Sequence, residues 1–226
     1  MTNAAIIIGG GRGRRFQGNL PKQFIPMEGT PLLVRTTEAV HRCALIDTIV
    51  VVVPAEWIEQ TICDLRAHGC HKVRYVTRGG DTRQLSCWQG LQLLKDDPPG
   101  VVVIHDAVRP LVSDDMVALA VTEGTAPMTF GVRATDTTVV ASSGAIETVL
   151  PREQVYHVQT PQSFPFTVLW EAHVVAQKRG LIDSCDDATL VLQAGYPVKV
   201  VNGDPRNIKV TSPLDMELVR CFSVKG

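Results

Sequence analysis

Glycines and basic side chains are concentrated directly after the first apolar run of the sequence. Four glycines and three arginines lie within residues 9–15, and Lys22 follows behind Pro21. Glycines let the backbone approach a ligand closely, and successive free N–H groups then form an anion-binding nest. Arginines add paired donors that match phosphate oxygens. The segment therefore predicts a loop that binds phosphate groups.

Two common phosphate-binding loops do not fit this segment. The dinucleotide fingerprint needs a small residue where Phe16 stands, because a helix packs closely on the strand there. A Walker A loop needs a Gly-Lys pair, and the chain has none. The plain structural alternative is a solvated basic turn, but such a turn does not need four glycines and three arginines at the end of a strand.

Three further segments carry polar side chains suited to ligand binding. They are Gly-Gly-Asp-Thr-Arg-Gln-Leu-Ser at 79–86, His-Asp-Ala-Val-Arg-Pro at 105–110 and Asn-Ile-Lys-Val-Thr-Ser-Pro at 207–213. Each lies at or near the end of a predicted strand, and open α/β sheets bind ligands at the carboxyl ends of their strands. Taken alone, the first is equally well a helix N-terminal cap. Asp106 could likewise cap a turn, and Lys209 could be a solvated lysine.

These segments together resemble the 2-C-methyl-D-erythritol 4-phosphate cytidylyltransferase family and its ribitol-5-phosphate relatives. The loop G-G-G-x-G-x-R followed by P-K-Q-F is similar to the triphosphate-binding loop of sugar nucleotidyltransferases. H-D-x-x-R-P, D-T, T-P-Q and N-I-K-V-T then follow in the family's order over essentially the whole chain. The resemblance implies a nucleotidyltransferase that moves CMP from CTP to methylerythritol phosphate and releases pyrophosphate, a step of isoprenoid precursor synthesis in the methylerythritol phosphate pathway.

The resemblance also implies roles for individual residues. Contact with the reacting phosphates would fall to three catalytic residues, Arg15, Lys22 and Lys209. CTP would be bound by Gly10, Gly11, Gly13, Gly80, Asp81, Arg83, Ser86, Asp106 and Ala107. The acceptor would be bound by Asp106, Arg109, Thr137, Arg152 and Thr160. Mg²⁺ would be bridged by the CTP phosphates without direct protein ligands, while His105 and the acid pair Asp186–Asp187 are interpreted as structural.

Other functions remain open at this point. The erythritol type often has a basic residue two positions after its D-T pair, whereas no basic residue closely follows Asp136-Thr137 here. That type also often has two alanines where this chain has Gly9-Gly10. Because of these two differences, ribitol 5-phosphate is an alternative acceptor. The resemblance assigns residues 79–86, the base segment, to recognition of the cytosine base. Uridylyl-, guanylyl- and molybdopterin-type transferases share the first loop but do not need this base segment around Asp81. A non-catalytic nucleotide-binding module would bind CTP without turnover, and Lys22 and Lys209 argue against it.

Apolar runs alternate with helical stretches along the chain, which is typical of a mostly parallel sheet covered on both faces. Strands are predicted at residues 4–8, 48–53, 73–76, 101–104, 128–132 and 198–201. Helices are predicted at residues 31–41, 56–68, 84–94, 114–123, 167–178, 186–194 and 213–221. We expect an α/β, Rossmann-like nucleotidyltransferase fold with a mostly parallel, twisted sheet, forming one domain over residues 1–226.

One stretch interrupts the alternation and predicts a projecting β-hairpin arm within residues 133–155. Residues 136–140 and 145–150 are strand-like and flank the turn sequence Ser-Ser-Gly at 142–144. A lone hairpin is marginal in water, so it should pack on something. In the family the arm of one subunit completes the acceptor pocket of its partner. The resemblance therefore implies a homodimer.

Composition argues against several other classes of protein. A net charge of -1 gives no global field that favours nucleic acid or anionic membrane. The longest apolar runs have the length of strands, and the N-terminus has no signal-peptide pattern. Six scattered cysteines without a C-x-x-C pair favour free thiols in a reducing compartment. We therefore expect a cytoplasmic protein without nucleic-acid or membrane partners.

Overall fold

The computed structural model describes residues 1–11 and 20–223. Its strands are β1 (Asn3–Ile8), β2 (Pro26–Met27), β3 (Thr30–Pro31), β4 (Thr48–Val53), β5 (Val73–Arg78), β6 (Val101–Asp106), β7 (Met128–Arg133), β8 (Val139–Ser142), β9 (Ala145–Val149), β10 (Tyr156–Pro165) and β11 (Lys199–Asn202). Its α-helices are α1 (Leu32–Arg42), α2 (Ile58–Ala67), α3 (Arg83–Gln92), α4 (Asp114–Glu123), α5 (Phe166–Lys178), α6 (Asp187–Gln193) and α7 (Pro213–Ser223). Short 3-10 helices lie at Lys22–Phe24, Ala55–Trp57 and Arg152–Gln154.

Seven strands form the central sheet in the order β11-β7-β10-β6-β1-β4-β5. Strands β6, β1, β4 and β5 are parallel, and β11 is parallel to β7. Strand β10 is antiparallel to both of its neighbours, β6 and β7. This mostly parallel sheet flanked by helices confirms the predicted fold class.

The sheet is buried on both faces, which explains why its central strands are continuously apolar. Alternate residues of β1 and β4 pack on Leu33, Leu65 and Val117 of helices α1, α2 and α4. The other residues pack on Leu91 and Leu169 of α3 and α5, and on α6. Successive side chains of a strand point to opposite faces, so each strand contributes to both layers of the core.

Strand β10 is the main element that the sequence pattern did not predict. It contains two prolines and several polar residues, which obscure any alternation of apolar and polar positions. Gln162 is fully buried, and its Nε2 donates to Thr129 Oγ1 at 3.0 Å. A register shift between Gln159 and Gln162 accommodates Pro161, which cannot donate a backbone hydrogen bond. A buried, hydrogen-bonded Gln162 thus takes the place of an expected apolar side chain.

The predicted hairpin is confirmed as the pair β8–β9. Ser143 and Gly144 both adopt positive φ, at 51° and 81°, as tight hairpin turns require. The hairpin exposes several large apolar side chains, among them Ile146 and Val149. All six cysteines are free thiols, as predicted. In the part of the chain that the structure describes, we found no helix with the length and apolarity needed to cross a membrane.

Candidate active site

A cleft of about 910 Å³ opens at the carboxyl ends of β1, β4, β5 and β6. This is the edge at which open α/β sheets bind ligands. Among the described residues its lining consists of residues 8–11, 54–56 and 78–83 together with Lys22, Gln23, Ser86, Asp106, Val108, Lys209 and Thr211. The cleft therefore collects most of the segments that the sequence singled out.

The first loop begins in a tightly packed place. Gly9 N donates to Val52 O at 2.7 Å, and a Cβ on Gly9 would lie only 2.9 Å from the Leu33 side chain. A Cβ on Gly10 would lie 2.7 Å from Ser86 Oγ. Glycine lets the first loop lie directly against the base segment, so the two segments form adjoining walls of the cleft.

Gln23 fixes this loop, and the sequence interpretation assigned it no role. Its side chain is almost fully buried, and its Nε2 donates to the carbonyl oxygens of Gly9 at 2.7 Å and Gly11 at 2.9 Å. The only sequence feature that could have indicated this role is the polar amide of Gln23 next to the apolar Phe24; the structure buries both side chains. Residues 12–19, including the predicted phosphate-binding Gly13 and Arg15, lie outside the described residues.

Two lysines from opposite ends of the chain line the same cleft. Lys22 Nζ donates to the carbonyl of Val210 at 3.2 Å, directly beside Lys209 in the sequence. Lys209 Nζ lies 2.8 Å from Asp106 Oδ2 and remains 39% exposed. Each ammonium group is thus held by an oxygen while it still faces the cleft. Their contact with a nucleotide stays a prediction.

Buried polar contacts attach the segment that carries Lys209 to the end of β6. Asn207 Nδ2 donates to Thr160 O at 2.7 Å, and Arg109 Nη1 donates to Asn207 O at 2.7 Å. Thr160 Oγ1 accepts from the backbone N–H of Asp106 at 3.1 Å. Arg109 and Thr160, which the resemblance assigned to the acceptor, therefore help to build the support around Asp106. Their contact with an acceptor remains a prediction.

Asp106 is the buried carboxylate at the centre of this arrangement. Its oxygens lie 3.3 Å from Arg83 Nε, 3.6 Å from Arg109 Nε and 2.8 Å from Lys209 Nζ. Burial alone would raise the pKa of Asp106, but Arg83, Lys209 and Arg109 hold it well below its usual range. The group is therefore an ionised anchor for three cations and is unsuited to shuttling protons.

The base segment at 79–86 is both a helix cap and a wall of the cleft. Thr82 caps α3, with its Oγ1 accepting from Leu85 N at 3.1 Å. Ser86 Oγ accepts from Gly80 N at 3.1 Å, and a Cβ on Gly80 would lie 2.5 Å from Leu85 Cβ. Asp81 is exposed in the cleft. The loop is thus fixed by its own contacts and offers backbone groups and one carboxylate to a ligand.

The remaining predicted residues lie away from the described lining of the cleft. Ala107 is buried, and its carbonyl accepts from Thr36 Oγ1 at 3.0 Å. Thr137 and Arg152 are exposed near the base of the arm, where Arg152 Nη1 donates to Thr135 O at 3.3 Å. Of the predicted CTP residues, the structure thus brings Gly10, Gly11, Gly80, Asp81, Arg83, Ser86 and Asp106 to one cleft, whereas Ala107 lies behind its described lining. The two arm residues stay separate from the cleft within one chain.

A family model described as IspD, 2-C-methyl-D-erythritol 4-phosphate cytidylyltransferase, matches residues 3–223. The chain belongs to this family. It is accordingly a nucleotidyltransferase, and the Lys22–Lys209 cleft is its candidate active site.

Curated relatives match the chain over nearly its whole length. The 2-C-methyl-D-erythritol 4-phosphate cytidylyltransferase of Geobacter metallireducens is 38% identical over 98% of this chain and 97% of the relative. The enzyme of that name from Geobacillus kaustophilus is 39% identical, covering 96% and 94%. A ribitol-5-phosphate cytidylyltransferase from Streptococcus agalactiae is 32% identical, covering 98% and 95%. Relatives named for each of the two activities are therefore similar to this chain.

Solved structures share the fold. The 4-diphosphocytidyl-2C-methyl-D-erythritol synthase of Anaerococcus prevotii superposes with a TM-score of 0.85 at 27% identity, covering 99% of this chain and 98% of that chain. The 2-C-methyl-D-erythritol 4-phosphate cytidylyltransferase of Thermus thermophilus superposes with a TM-score of 0.77 at 30% identity, covering 97% and 98%. The central sheet and its helices are thus those of the cytidylyltransferase family.

His105, inside the family's H-D-x-x-R-P segment, is a packing residue in this structure. It is fully buried, and its Nε2 donates to the Arg109 carbonyl at 3.1 Å. Burial lowers its pKa to about 4. The imidazole is therefore neutral near pH 7 and faces the protein interior, which agrees with the structural role inferred from sequence.

The adjacent acids Asp186 and Asp187 have different environments, although the sequence interpretation treated both as structural. Asp186 caps α6, with its Oδ1 accepting from Thr189 N at 2.7 Å, as predicted. Asp187 is 1% exposed, and its Oδ2 accepts from Arg83 Nη1 at 2.6 Å. The second acid is therefore connected to the cleft through an arginine that lies 104 residues away in the sequence.

Proposed function

We propose that this enzyme transfers the cytidylyl group of CTP to 2-C-methyl-D-erythritol 4-phosphate and releases pyrophosphate. The observation that carries the proposal is the cleft in which Lys22, Lys209 and the base segment meet around Asp106. Family membership supports the choice of nucleotide and acceptor. The product would be a CDP-polyol used in isoprenoid precursor synthesis.

The reaction requires positioning and positive charge more than proton transfer. An oxygen of the acceptor's phosphate attacks the α-phosphorus of CTP in line. The bond from that phosphorus to the bridging oxygen breaks, and pyrophosphate leaves with the electron pair. The attacking oxygen is already anionic at neutral pH, so no general base is needed. The barrier lies in bringing two polyanions together, which fixed cations lower in an organised site.

The described side chains provide this charge. Arg83, Arg109 and Lys209 surround Asp106, and Asp187 pairs with Arg83, so three cations and two carboxylates leave one positive charge. Lys22 adds a second on the adjoining wall. Since Lys22 and Lys209 are anchored by oxygen atoms, little reorganisation is needed when charge develops at the α-phosphate.

Magnesium fits this cleft as an ion carried by the nucleotide. Asp106 already has both oxygens paired with cations, while Asp81 and Glu56 are exposed on the rim. Mg²⁺ prefers phosphate oxygens and water to an all-protein cage, so the triphosphate placed by Lys22 and the first loop would hold it. When bound, it would neutralise triphosphate charge and orient the leaving group.

The arm supports a homodimer in which each subunit completes the other's acceptor pocket. Val140, Ile146 and Val149 are 45%, 66% and 60% exposed on the hairpin, which is costly for an unpartnered element. Thr137 and Arg152 lie near its base, outside the described lining of their own chain's cleft. A second subunit would bring such residues to a cleft. A cytoplasmic location stays a prediction from the sequence.

Ribitol 5-phosphate is the second candidate acceptor. The Streptococcus agalactiae relative carries that name at 32% identity over 98% of this chain, and no basic residue closely follows Asp136-Thr137. Both acceptors present a phosphate monoester and a row of hydroxyls. The same cleft chemistry would therefore serve either.

The deciding experiment is pyrophosphate release with CTP and a panel of acceptors. Methylerythritol, ribitol and glycerol phosphates are compared at equal concentration, and UTP, GTP and ATP replace CTP in parallel. We expect the highest kcat/KM for CTP with methylerythritol phosphate. A preference for ribitol 5-phosphate would transfer the proposal to the second acceptor. If CTP binds but no acceptor leads to release of pyrophosphate, the protein would be only a nucleotide-binding module.

A further inference from the structure

A buried series of ion pairs leads from the start of α6 to the cleft. Asp187 Oδ2 lies 2.6 Å from Arg83 Nη1, and Arg83 Nε lies 3.3 Å from Asp106 Oδ1. The other oxygen of Asp106 lies 2.8 Å from Lys209 Nζ. One guanidinium therefore joins two carboxylates, and the second carboxylate joins it to a proposed catalytic lysine.

Asp187 is held in place from its other side by buried groups. Its Oδ1 lies 3.6 Å from His173 Nε2, and Cys87 contributes a thiol to the same buried group. These three residue types could bind a metal ion, but the guanidinium of Arg83 already supplies the cation at this carboxylate. Burial, and then Asp187, raise the pKa of the Cys87 thiol, so it stays protonated. The cluster is therefore suited to fixing Asp187.

Arg83 has the means to compete with Lys209 for Asp106. Its Nη2 is buried and has no hydrogen-bond partner among the described residues. A guanidinium readily forms two parallel bonds with one carboxylate, whereas an ammonium is a single point charge. Without a second carboxylate at Nη1, the guanidinium can turn fully onto Asp106. Lys209 would then lose part of the interaction that fixes its position.

We propose that Asp187 is a positioning residue for nucleotidyl transfer, because it holds Arg83 to one side and leaves one oxygen of Asp106 for Lys209. The inference rests on the proposed function, in which Lys209 contacts the α-phosphate. Asp187 itself does not line the described cleft. Its effect therefore passes entirely through Arg83 and Asp106.

The first test compares Asp187→Asn with Asp186→Ala by pyrophosphate release. Asparagine keeps the shape of the side chain but removes its charge, so we expect kcat to fall about tenfold with the KM for CTP within about threefold. Asp186→Ala removes the cap of α6 and should lower the melting temperature without lowering kcat. Unchanged kcat in the folded Asp187→Asn variant, or an equal loss in both variants, would overturn the proposal.

A double-mutant cycle tests the route of the effect. If Asp187 acts only through Arg83, then Asp187→Asn should cause less than about a twofold further loss of kcat in an Arg83→Gln background. An additional tenfold loss in that background would show a role independent of Arg83, against the proposal. Asp187→Ser, a smaller neutral side chain suited to a helix start, replaces the asparagine variant if that variant does not fold.

A second measurement does not depend on turnover. Labelling of Lys209 by an amine-reactive reagent is followed by mass spectrometry, with exposed Lys199 as internal reference. We expect several-fold faster labelling of Lys209 in Asp187→Asn and wild-type labelling in Asp186→Ala. Unchanged labelling of Lys209 in Asp187→Asn would refute the proposal that Asp187 positions Lys209 through Arg83 and Asp106. If Lys209 is labelled faster in Asp187→Asn but the wild-type protein releases no pyrophosphate, the positioning of Lys209 by Asp187 is supported and the proposed function is rejected.

Discussion

At the scale of single residues, Asp106 holds three cationic side chains in place and neutralises only part of their positive charge. Three cations contact its two oxygens, and their combined charge exceeds that of the carboxylate. A buried carboxylate of this kind places positive charge with accuracy and leaves a net attraction for a polyanion. The positions of these cations are therefore set before any ligand arrives, which is what the proposed binding of phosphate groups requires.

Lysine replacement tests this view directly. We expect Lys22→Ala and Lys209→Ala each to lower kcat about a hundredfold, comparable with the loss of one transition-state contact. The same loss is expected for Arg15→Ala from the family resemblance. Pyrophosphate release measures the effect, and Lys199→Ala is the matched control because Lys199 pairs with Glu123 on the surface. Near-normal kcat in a folded Lys22 or Lys209 variant would contradict the assignment.

At the scale of elements, helix α7 begins immediately after the segment that carries Lys209. Asp215 Oδ2 accepts from Thr211 N, Thr211 Oγ1 and Ser212 N at 2.8, 2.8 and 2.7 Å. Ser212 Oγ in turn accepts from Asp215 N at 3.3 Å, which makes a capping box. Burial raises the pKa of Asp215, but hydrogen bonds from Thr211 and Ser212 lower it below its usual value. The cap thus fixes both the helix and the end of the segment that carries Lys209.

Removal of this cap should cost stability and some activity. We expect Asp215→Ala to lower the free energy of unfolding by about 0.5–2 kcal/mol, the range for a lost N-terminal cap. Glu217→Ala, on the same helix and exposed, should change it little. Urea unfolding followed by circular dichroism gives both values. Equal stability of the two variants would show that the cap contributes nothing.

The sequence predicted the elements whose patterns are local and missed those that depend on distant partners. Apolar runs placed β1, β4 and β6 because burial on both faces leaves a continuous signal. Strand β10 was not predicted because most of its buried side chains are polar, and the partners of Gln162 lie on other elements. Asp187 escaped for the same reason, since its partner Arg83 is remote in sequence. Lys22 and Lys209 were placed correctly in one cleft because whole motifs, beyond single residues, matched the family.

At the scale of the whole molecule, the arm predicts the assembly state. We expect a dimer at micromolar concentration by light scattering, and we expect Ile146→Asp to shift it toward monomer, because a charge would be buried in the interface. Leu192→Asp is the matched control, since Leu192 is likewise 60% exposed but belongs to α6 and not to the arm. If the wild-type protein is already monomeric at micromolar concentration, there is no basis for an acceptor pocket shared between two subunits.

Stability of the whole molecule should fall in mild acid. Burial lowers the pKa of His105 to about 4, from 6.5 in the unfolded chain. Between these values the unfolded state binds the proton and the folded state does not, so stability rises with pH across the window and is lost as pH falls through it. The full effect is about 3 kcal/mol. Burial, then His71 and Lys72, lower the pKa of His41 as well, so it adds to the same slope.

The variant His105→Gln isolates this contribution. Glutamine keeps a donor for the Arg109 carbonyl but stays neutral, so its urea midpoint should change less than that of the wild type between pH 6.5 and pH 4. His157→Gln, at an exposed histidine, should keep the wild-type slope. The pKa values of Asp106 and Asp187 are depressed, so their contributions to stability begin to be lost as pH falls toward the ordinary aspartate value. Wild type and variant share this loss, so it cancels when their slopes are compared. If the urea midpoint of His105→Gln depends on pH as strongly as that of the wild type, a group other than His105 takes up the proton on unfolding.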